Sequence, residues 1–531
     1  MGTVRYPVTF IPAGVTVWAK EGTIVLDAAR SAGILISAPC GGRGVCGKCG
    51  VRVLEGSPEP PEDLEKRGLS IAPPGVRLAC LLRVTGPLSV KPVISQGVSV
   101  VPDAEESSDE RVLAAVDLGT TTVEAVIFGE QTGMELGRAA VPNTQQSYGA
   151  DLLSRVSAAG QGHAEALSAA ADSSIQSALE AACTRAGACL VGVRRLVVVG
   201  NSVMSASLLR ESLTSFAAHP FTSPVTEILP LRENSKLTSA LADDCETYVL
   251  PPLASFVGSD AVSGLLGAGL VEPGHTALYV DVGTNAELAV VTSAGVTVAS
   301  AAAGPALEAS EITSGGPAAP GGVRLVRYKE GSGLEVDVID NEEAAWLTGS
   351  GLVSATAALL AAGHLDAEGL IKQDGPLADR FDRVGDTLAI RIAGDEASPV
   401  WVSQTDIRAL QTAKSALAAG ILTLLKSSKM KPKAIETVVV GGALGAAIPA
   451  SDLVAVGIVP KDYEDRVEQV GNAALLGAAM MTADPTLMTD TIESMRDAAH
   501  VELATEKGFT DRFMEALALA PYGVKKGFPK S

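Results

Sequence analysis

The 531-residue chain is short of aromatic rings, which make up 4% of it, and of charge, at 19%. It has no run of about eighteen apolar residues of the kind a membrane helix needs, and Leu352–Gly363 is too short and too rich in alanine to serve as one. No stripe of Lys and Arg interleaved with aromatics appears and the net charge is −20, which argues against a nucleic-acid partner. No charged-then-apolar leader follows Met1, so a cytoplasmic protein is expected. In a reducing compartment its seven cysteines are not expected to form disulfides. Hydrophobic residues make up 47%, which implies folded domains rather than disorder, and the length implies two to four of them.

Four cysteines stand together in the first hundred residues. Cys40, Cys46 and Cys49 have C-x5-C-x2-C spacing, and Cys80 follows thirty-one residues after Cys49. Plant-type [2Fe–2S] ferredoxins use C-x4-C-x2-C with a distant fourth cysteine. The extra residue in the first gap occurs in the adrenodoxin-like branch. Three thiolates on one side of a small cluster require a tight loop. Gly41, Gly42, Gly44, Gly47 and Gly50 let the backbone approach and aim N–H groups at sulfur. Arg43 and Lys48 add positive charge beside an anionic cluster. A zinc site is the competing reading, but zinc ribbons favour paired C-x2-C units and only one is present. Around the loop, Val4–Ile11 with Val15–Trp18 reads as a hairpin, residues 23–33 as a short helix, and Gly50–Glu55 and Leu88–Val93 as strands: a small β-grasp domain.

A second pattern occurs twice. Val116–Ile127 is an apolar strand ending in Asp117, a Gly119-Thr120-Thr121 turn and a second apolar run. Val280–Val291 repeats it with Asp281, Gly283, Thr284 and Asn285. Both are hairpin signatures. The acid is suited to a hydrated magnesium ion, and the turn's N–H groups and hydroxyls to phosphate oxygens. One copy is an ordinary turn; two copies suggest a duplicated fold holding one nucleotide.

Between these parts, Val98–Arg111 is polar and acidic and reads as a linker, either a plain spacer or an arm that lets the cluster visit two positions. Further on, 164–186, 259–270, 352–362 and 404–429 have helical character, and 195–200, 247–253, 436–440 and 457–460 read as strands. Gly304 and the Gly/Pro-rich stretch from Ser314 to Gly322 suit either a phosphate-facing or gating loop or a surface insertion. Gln404, Arg408, Gln411 and Ser415, with Lys414 beside them, share one helix face that meets either solvent or the adenosine. Gly441 and Gly442, at a strand–helix junction, allow close approach to a base or ribose. Cys183, Cys189 and Cys245 match no motif and read as buried apolar residues. The last thirty residues read as a helix and a basic tail.

Taken in order, these motifs resemble the ASKHA nucleotide fold, the duplicated ribonuclease-H-like, actin/Hsp70-type architecture. With an N-terminal [2Fe–2S] module ahead of it, the whole chain resembles the reductive activators of corrinoid proteins. The implied fold class is multidomain α/β. A ferredoxin-like domain would span 1–97, a linker 98–111, ASKHA lobe I 112–275, lobe II 276–504 and a tail 505–531. The resemblance implies ATP-dependent return of a Co(II) corrinoid methyl-transfer protein to Co(I). Cys40, Cys46, Cys49 and Cys80 would hold the cluster, and Asp117 and Asp281 a Mg2+ ion. Gly119, Thr120, Thr121, Gly283, Thr284, Asn285 and Gly304 would hold phosphates, and Gly441 and Gly442 the adenosine. Glu287 is either the group that polarises attacking water or an exposed strand residue. Implied partners are the corrinoid protein, a low-potential electron donor and a second copy in a homodimer. The chain departs from some members in lacking a domain between cluster and ATPase, and from others in lacking C-terminal cysteines after Cys245. Alternatives are an ATPase serving another low-potential metalloenzyme, like the radical-dehydratase activators, or a nucleotide and redox sensor without turnover.

Overall fold

The computed structural model describes residues 4–11, 14–32, 36, 44, 49–69, 75–92, 111–149, 151–233, 235–272, 274–309, 312–316, 318–445 and 447–528. It divides into two compact units, one made of Met1–Val271 with Ala473–Arg496, the other of Glu272–Asn472 with Asp497–Ser531. Cys40, Cys46 and most of the acidic linker lie outside the described residues.

The first unit opens with a five-stranded sheet. Val15–Lys20 pairs antiparallel with Arg5–Phe10, which runs parallel to Leu88–Pro92; that strand pairs with Gly50–Glu55, and Gly50–Glu55 with Arg77–Leu78. Val8, Phe10, Val51 and Val90 point inward at alternate positions and meet Val25 and Leu26 of the helix Val25–Ser31. This is the β-grasp arrangement expected from the period-two pattern.

Each unit then carries a sheet of the same plan. In the first, Glu246–Val249, Val193–Gly200 and Val112–Leu118 are parallel neighbours, and Thr122–Gly129 and Glu135–Pro142 continue antiparallel. In the second, Val467–Gln469, Thr437–Gly441 and Ala277–Asp281 are parallel, and Asn285–Thr292 and Gly295–Ala302 follow antiparallel, with Ala499–His500 at the edge. The parallel strands read as unbroken apolar runs because both faces are covered. The helix Ala164–Ala186 lies against the first sheet, and Gln404–Ser427 against the second. Ala473–Ala483 packs with the first unit. Its approach to Ser259–Gly267 is so close that a Cβ on Gly267 would stand 2.1 Å from the Ala473 carbonyl, and one on Gly477 1.9 Å from that of Ser263.

Four expectations are corrected. Residues 457–460 are not a strand. The Gly457 N–H bonds to the Val454 carbonyl and the Ile458 N–H to that of Leu453, with Gly457 at φ +79°. This is the two-bond glycine cap that closes the helix Ala450–Ala455, and Ile458 is its apolar contact rather than a strand residue. Cys183 is buried, but Cys189 is exposed and Cys245 only half-buried. The C-terminal stretch is no free tail, for Tyr522 and Phe528 are buried with ring centroids 4.7 Å apart, and the Tyr522 hydroxyl donates to the Ile458 carbonyl.

The fourth concerns the polar face of Gln404–Ser427, which is no open solvated face, since Gln411, Lys414 and Ser415 are buried and Arg408 alone of the five is exposed. Gln404 and Arg408 donate to the carbonyls of Gly369 and Glu368, Gln411 to those of Glu368 and Leu517, and Lys414 to that of Ala518. The face fastens two non-helical segments of its own unit. Ser403 and Asp406 form a capping box at its start, as the sequence predicts, and Asp406 also accepts from the Thr313 N–H at 2.8 Å. The described part of the glycine-rich stretch is thereby pinned, since Ser314 accepts from the Trp401 N–H and a Cβ on Gly316 would collide with the Trp346 ring at 2.3 Å.

Candidate functional sites

The fourth cysteine is placed by three constraints. Gly50 pairs with Leu78, and the Ala79 N–H bonds to the Cys49 carbonyl at 2.9 Å, so the segments carrying Cys49 and Cys80 run side by side. The Leu26 N–H bonds to the Ala79 carbonyl, tying the segment to the helix. Glu65, a buried carboxylate, accepts from Arg77 Nε and Nη2 at 2.7 Å each and from the Leu78 N–H at 2.9 Å. The result is that the thiols of Cys49 and Cys80, both buried, lie 3.2 Å apart and are not joined. Two convergent thiols inside an apolar wall fit a soft metal centre. Gly44, the described glycine of the same loop, has φ +75°, and a Cβ there would meet Leu81 at 2.4 Å. Among the described residues no group of three or more acids, histidines and cysteines converges on one point, and the remaining expected ligands, Cys40 and Cys46, lie outside them.

In the first hairpin, Asp117 stands opposite Glu124 across the strand pair, and Arg138 donates to Glu124 at 3.1 Å. Gly119 is required, because a Cβ would lie 2.5 Å from the Thr122 carbonyl. The turn's carbonyls are held by three side chains that sequence reasoning missed. Asn143 donates its side-chain N–H to the Gly119 carbonyl and its backbone N–H to that of Thr121, at 2.8 Å each. Gln146 also reaches the Thr121 carbonyl, and Arg155 Nη2 the Thr120 carbonyl, each at 2.6 Å. Each held carbonyl fixes the plane of its peptide, and with it the direction of the following N–H, of Thr120, Thr121 and Thr122. Consecutive N–H groups of this kind form an anion-binding concavity. Arg155 is fully buried and also donates to the Gly149 carbonyl, the Gln145 amide oxygen and the Met204 sulfur.

In the second hairpin, Asp281 stands opposite Glu287 on one side and Gly441 on the other. Burial pushes its carboxyl above the usual range, and a 2.7 Å hydrogen bond from the Tyr279 hydroxyl works the other way. Glu287 is buried rather than exposed. Gly442 has φ +83°, and a Cβ there would lie 2.6 Å from Asp281 Oδ1. Gly441 and Gly442 thus press against Asp281 and Tyr279 within this unit. Thr284 donates its N–H and its hydroxyl to Glu308 Oε1, and its carbonyl accepts from the Gly304 N–H at 2.8 Å. Asn285 begins the outgoing strand, beside Gly283 and Thr284 in the turn.

Family models match along the chain in order: the 2Fe-2S iron-sulfur cluster binding domain at residues 8–85, the RACo middle region at 113–272, and the C-terminal domain of RACo, the ASKHA domain, at 275–529. The corrinoid activation enzyme RamQ of Eubacterium limosum is 28% identical over 439 residues, covering 80% of this chain and 73% of that protein. A [Co(II) methylated amine-specific corrinoid protein] reductase of Methanosarcina barkeri is 28% identical over 305 residues, covering 53% of each chain. Among solved structures, a reductive activator for corrinoid, iron-sulfur protein superposes with a TM-score of 0.74 at 24% identity, over 97% of this chain and 98% of that one. The chain therefore has a [2Fe–2S] ferredoxin domain followed by an ASKHA domain of the type found in those activators.

Proposed function

We propose that this chain, a member of the reductive activators of corrinoid proteins, uses ATP to drive one electron through its [2Fe–2S] domain onto the Co(II) corrinoid of a methyl-transfer protein, returning it to Co(I). The observation that carries the reading is the union, in one polypeptide, of the buried Cys49–Cys80 thiol pair with two sheets of the same plan, each ending a strand in an acid beside a Gly-Thr turn.

Cys40, Cys46, Cys49 and Cys80 hold the cluster, which supplies the one-electron relay when bound. Asp117 and Asp281 hold hydrated Mg2+. The N–H groups of the first turn take phosphate oxygens, positioned by Asn143, Gln146 and Arg155, and the second turn does the same through Gly283, Thr284 and Asn285. Glu287, buried beside Asp281, is suited to orient the attacking water. Nucleotide binding or hydrolysis in the ASKHA domain supplies the energy of the electron step. The electron comes from a low-potential donor of the cytoplasm.

The test follows the corrinoid spectrum. Reconstituted protein, reductant and a Co(II) corrinoid protein are mixed with and without Mg-ATP. An ATP-dependent Co(I) signal is expected, absent in Asp117→Ala although that variant keeps its cluster absorbance. Equal reduction with and without ATP would refute the coupling.

A further inference from the structure

The second hairpin turn already holds an anion, supplied by its own unit. Thr284 donates its backbone N–H and its hydroxyl to a single oxygen, Glu308 Oε1, at 2.7 Å each. These are the donor types that a phosphate oxygen takes at such a turn. Thr284 is buried, whereas Glu308 is half-exposed.

The segment that delivers Glu308 is constrained at both ends. Pro305–Glu308 is a single 3-10 turn. Gly304 before it has φ 79° and ψ 174°, a region open essentially to glycine alone. Ala309 after it has φ 58°, a left-handed conformation in which its Cβ crowds the backbone. Strain bracketing one functional side chain is the pattern of a segment with a second arrangement available to it. A carboxylate and a phosphate cannot take the same two donors at once, and as like charges they repel.

We infer that Glu308 is a displaceable anionic plug, which occupies the phosphate grip of the second hairpin until the phosphate chain of a nucleoside triphosphate replaces it. The inference rests on reading this turn as part of the nucleotide site. Its consequence is a reduced apparent affinity, because only molecules with the carboxylate withdrawn are competent to bind.

The test measures Mg-ATP binding by calorimetry for the full-length wild type, Glu308→Gln and Glu308→Ala. Removing the plug tightens binding about fivefold or more in Glu308→Ala. Glu308→Gln keeps an accepting oxygen but not the charge, and falls between. Hydrogen exchange at residues 306–309 rises when wild type binds Mg-ATP, as the strained turn lets go. Weaker or unchanged binding in Glu308→Ala, with a melting curve like that of wild type, overturns the plug. If that variant melts early, Glu308→Gln decides, and binding no tighter than wild type overturns it. If none of the three binds Mg-ATP, the nucleotide reading itself fails; if wild type binds and neither variant gains, only the plug does.

Discussion

The sulfurs of Cys49 and Cys80 lie 3.2 Å apart across thirty-one residues of sequence, buried and unjoined. Backbone pairing, not sulfur chemistry, brings them together, since Gly50 faces Leu78 and the Ala79 N–H reaches the Cys49 carbonyl. The pair is thus held in place by the polypeptide itself. Cys80→Ala should abolish the visible absorbance of the reconstituted cluster while leaving Mg-ATP binding within about twofold of wild type, as expected for sites built from different residues. Full cluster absorbance in that variant would remove Cys80 from the ligand set.

The Glu65–Arg77 pair sets the strand that leads to Cys80. Glu65 is buried and Arg77 nearly so, with two 2.7 Å bonds between them and a third bond from the Leu78 N–H. Removing one partner of such a pair strands the other charge, at a cost of about 3 kcal/mol. Glu65→Ala should therefore lower the stability of the ferredoxin domain in urea melts by that order and speed cluster loss to a chelator. Arg77→Ala should do the same. An unchanged rate of cluster loss in both would show that the pair does not position the ligand loop.

Lys414 gives the protein a pH dependence. Its amine is fully buried, donates to the Ala518 carbonyl, and is pulled by burial from 10.5 down to about 7. The folded value lies below the unfolded one. Between about pH 7 and 10.5 the unfolded chain therefore holds a proton that the folded chain lacks, and stability rises with pH, at up to about 1.4 kcal/mol per unit from this group. Below that window both states are charged and the full cost of burying the ammonium is present. Urea melts at pH 6.5, 8 and 9.5 should show Lys414→Met losing this slope. Parallel slopes in wild type and variant would mean the amine is not charged on unfolding in this range.

What the sequence displays depends on distance along the chain. The two hairpins and the Ser403–Asp406 capping box are local patterns, and each is present where its residues predict it. Asn143 and Arg155 were invisible because they act on carbonyls 24 and 35 residues away, and a backbone carbonyl accepts from any donor the fold delivers. Gly442 was legible as a glycine needing room, but the neighbour it makes room for is Asp281 Oδ1, which only the sheet register reveals. The polar stripe of Gln404–Ser427 had a correct period. Its partners, the carbonyls of Glu368, Gly369, Leu517 and Ala518, are irregular segments whose need for donors leaves no mark in composition. Gly457–Pro460 failed because a short apolar run after a glycine fits a strand and a helix cap equally well.

Arg155 carries the most exacting prediction for the first turn. Its guanidinium is fully buried and donates to the Thr120 carbonyl at 2.6 Å, while Asn143 and Gln146 hold the carbonyls on either side. Burying a guanidinium is costly, and its donors here serve one role in the first turn. That role is to fix the peptide planes of the first turn and to add positive potential beside them. Arg155→Met keeps the apolar volume and removes both effects. Mg-ATP binding should weaken about tenfold or more, since preorganised donors lose their orientation. Cluster absorbance should remain that of wild type. Arg155→Lys separates the two effects, for it restores the charge without the fork that reaches Thr120 and Gly149 together. Affinity recovered in Arg155→Lys would assign the effect to potential alone; affinity still low would assign it to the shape of the turn. Wild-type affinity in Arg155→Met would mean that Asn143 and Gln146 hold the turn without it.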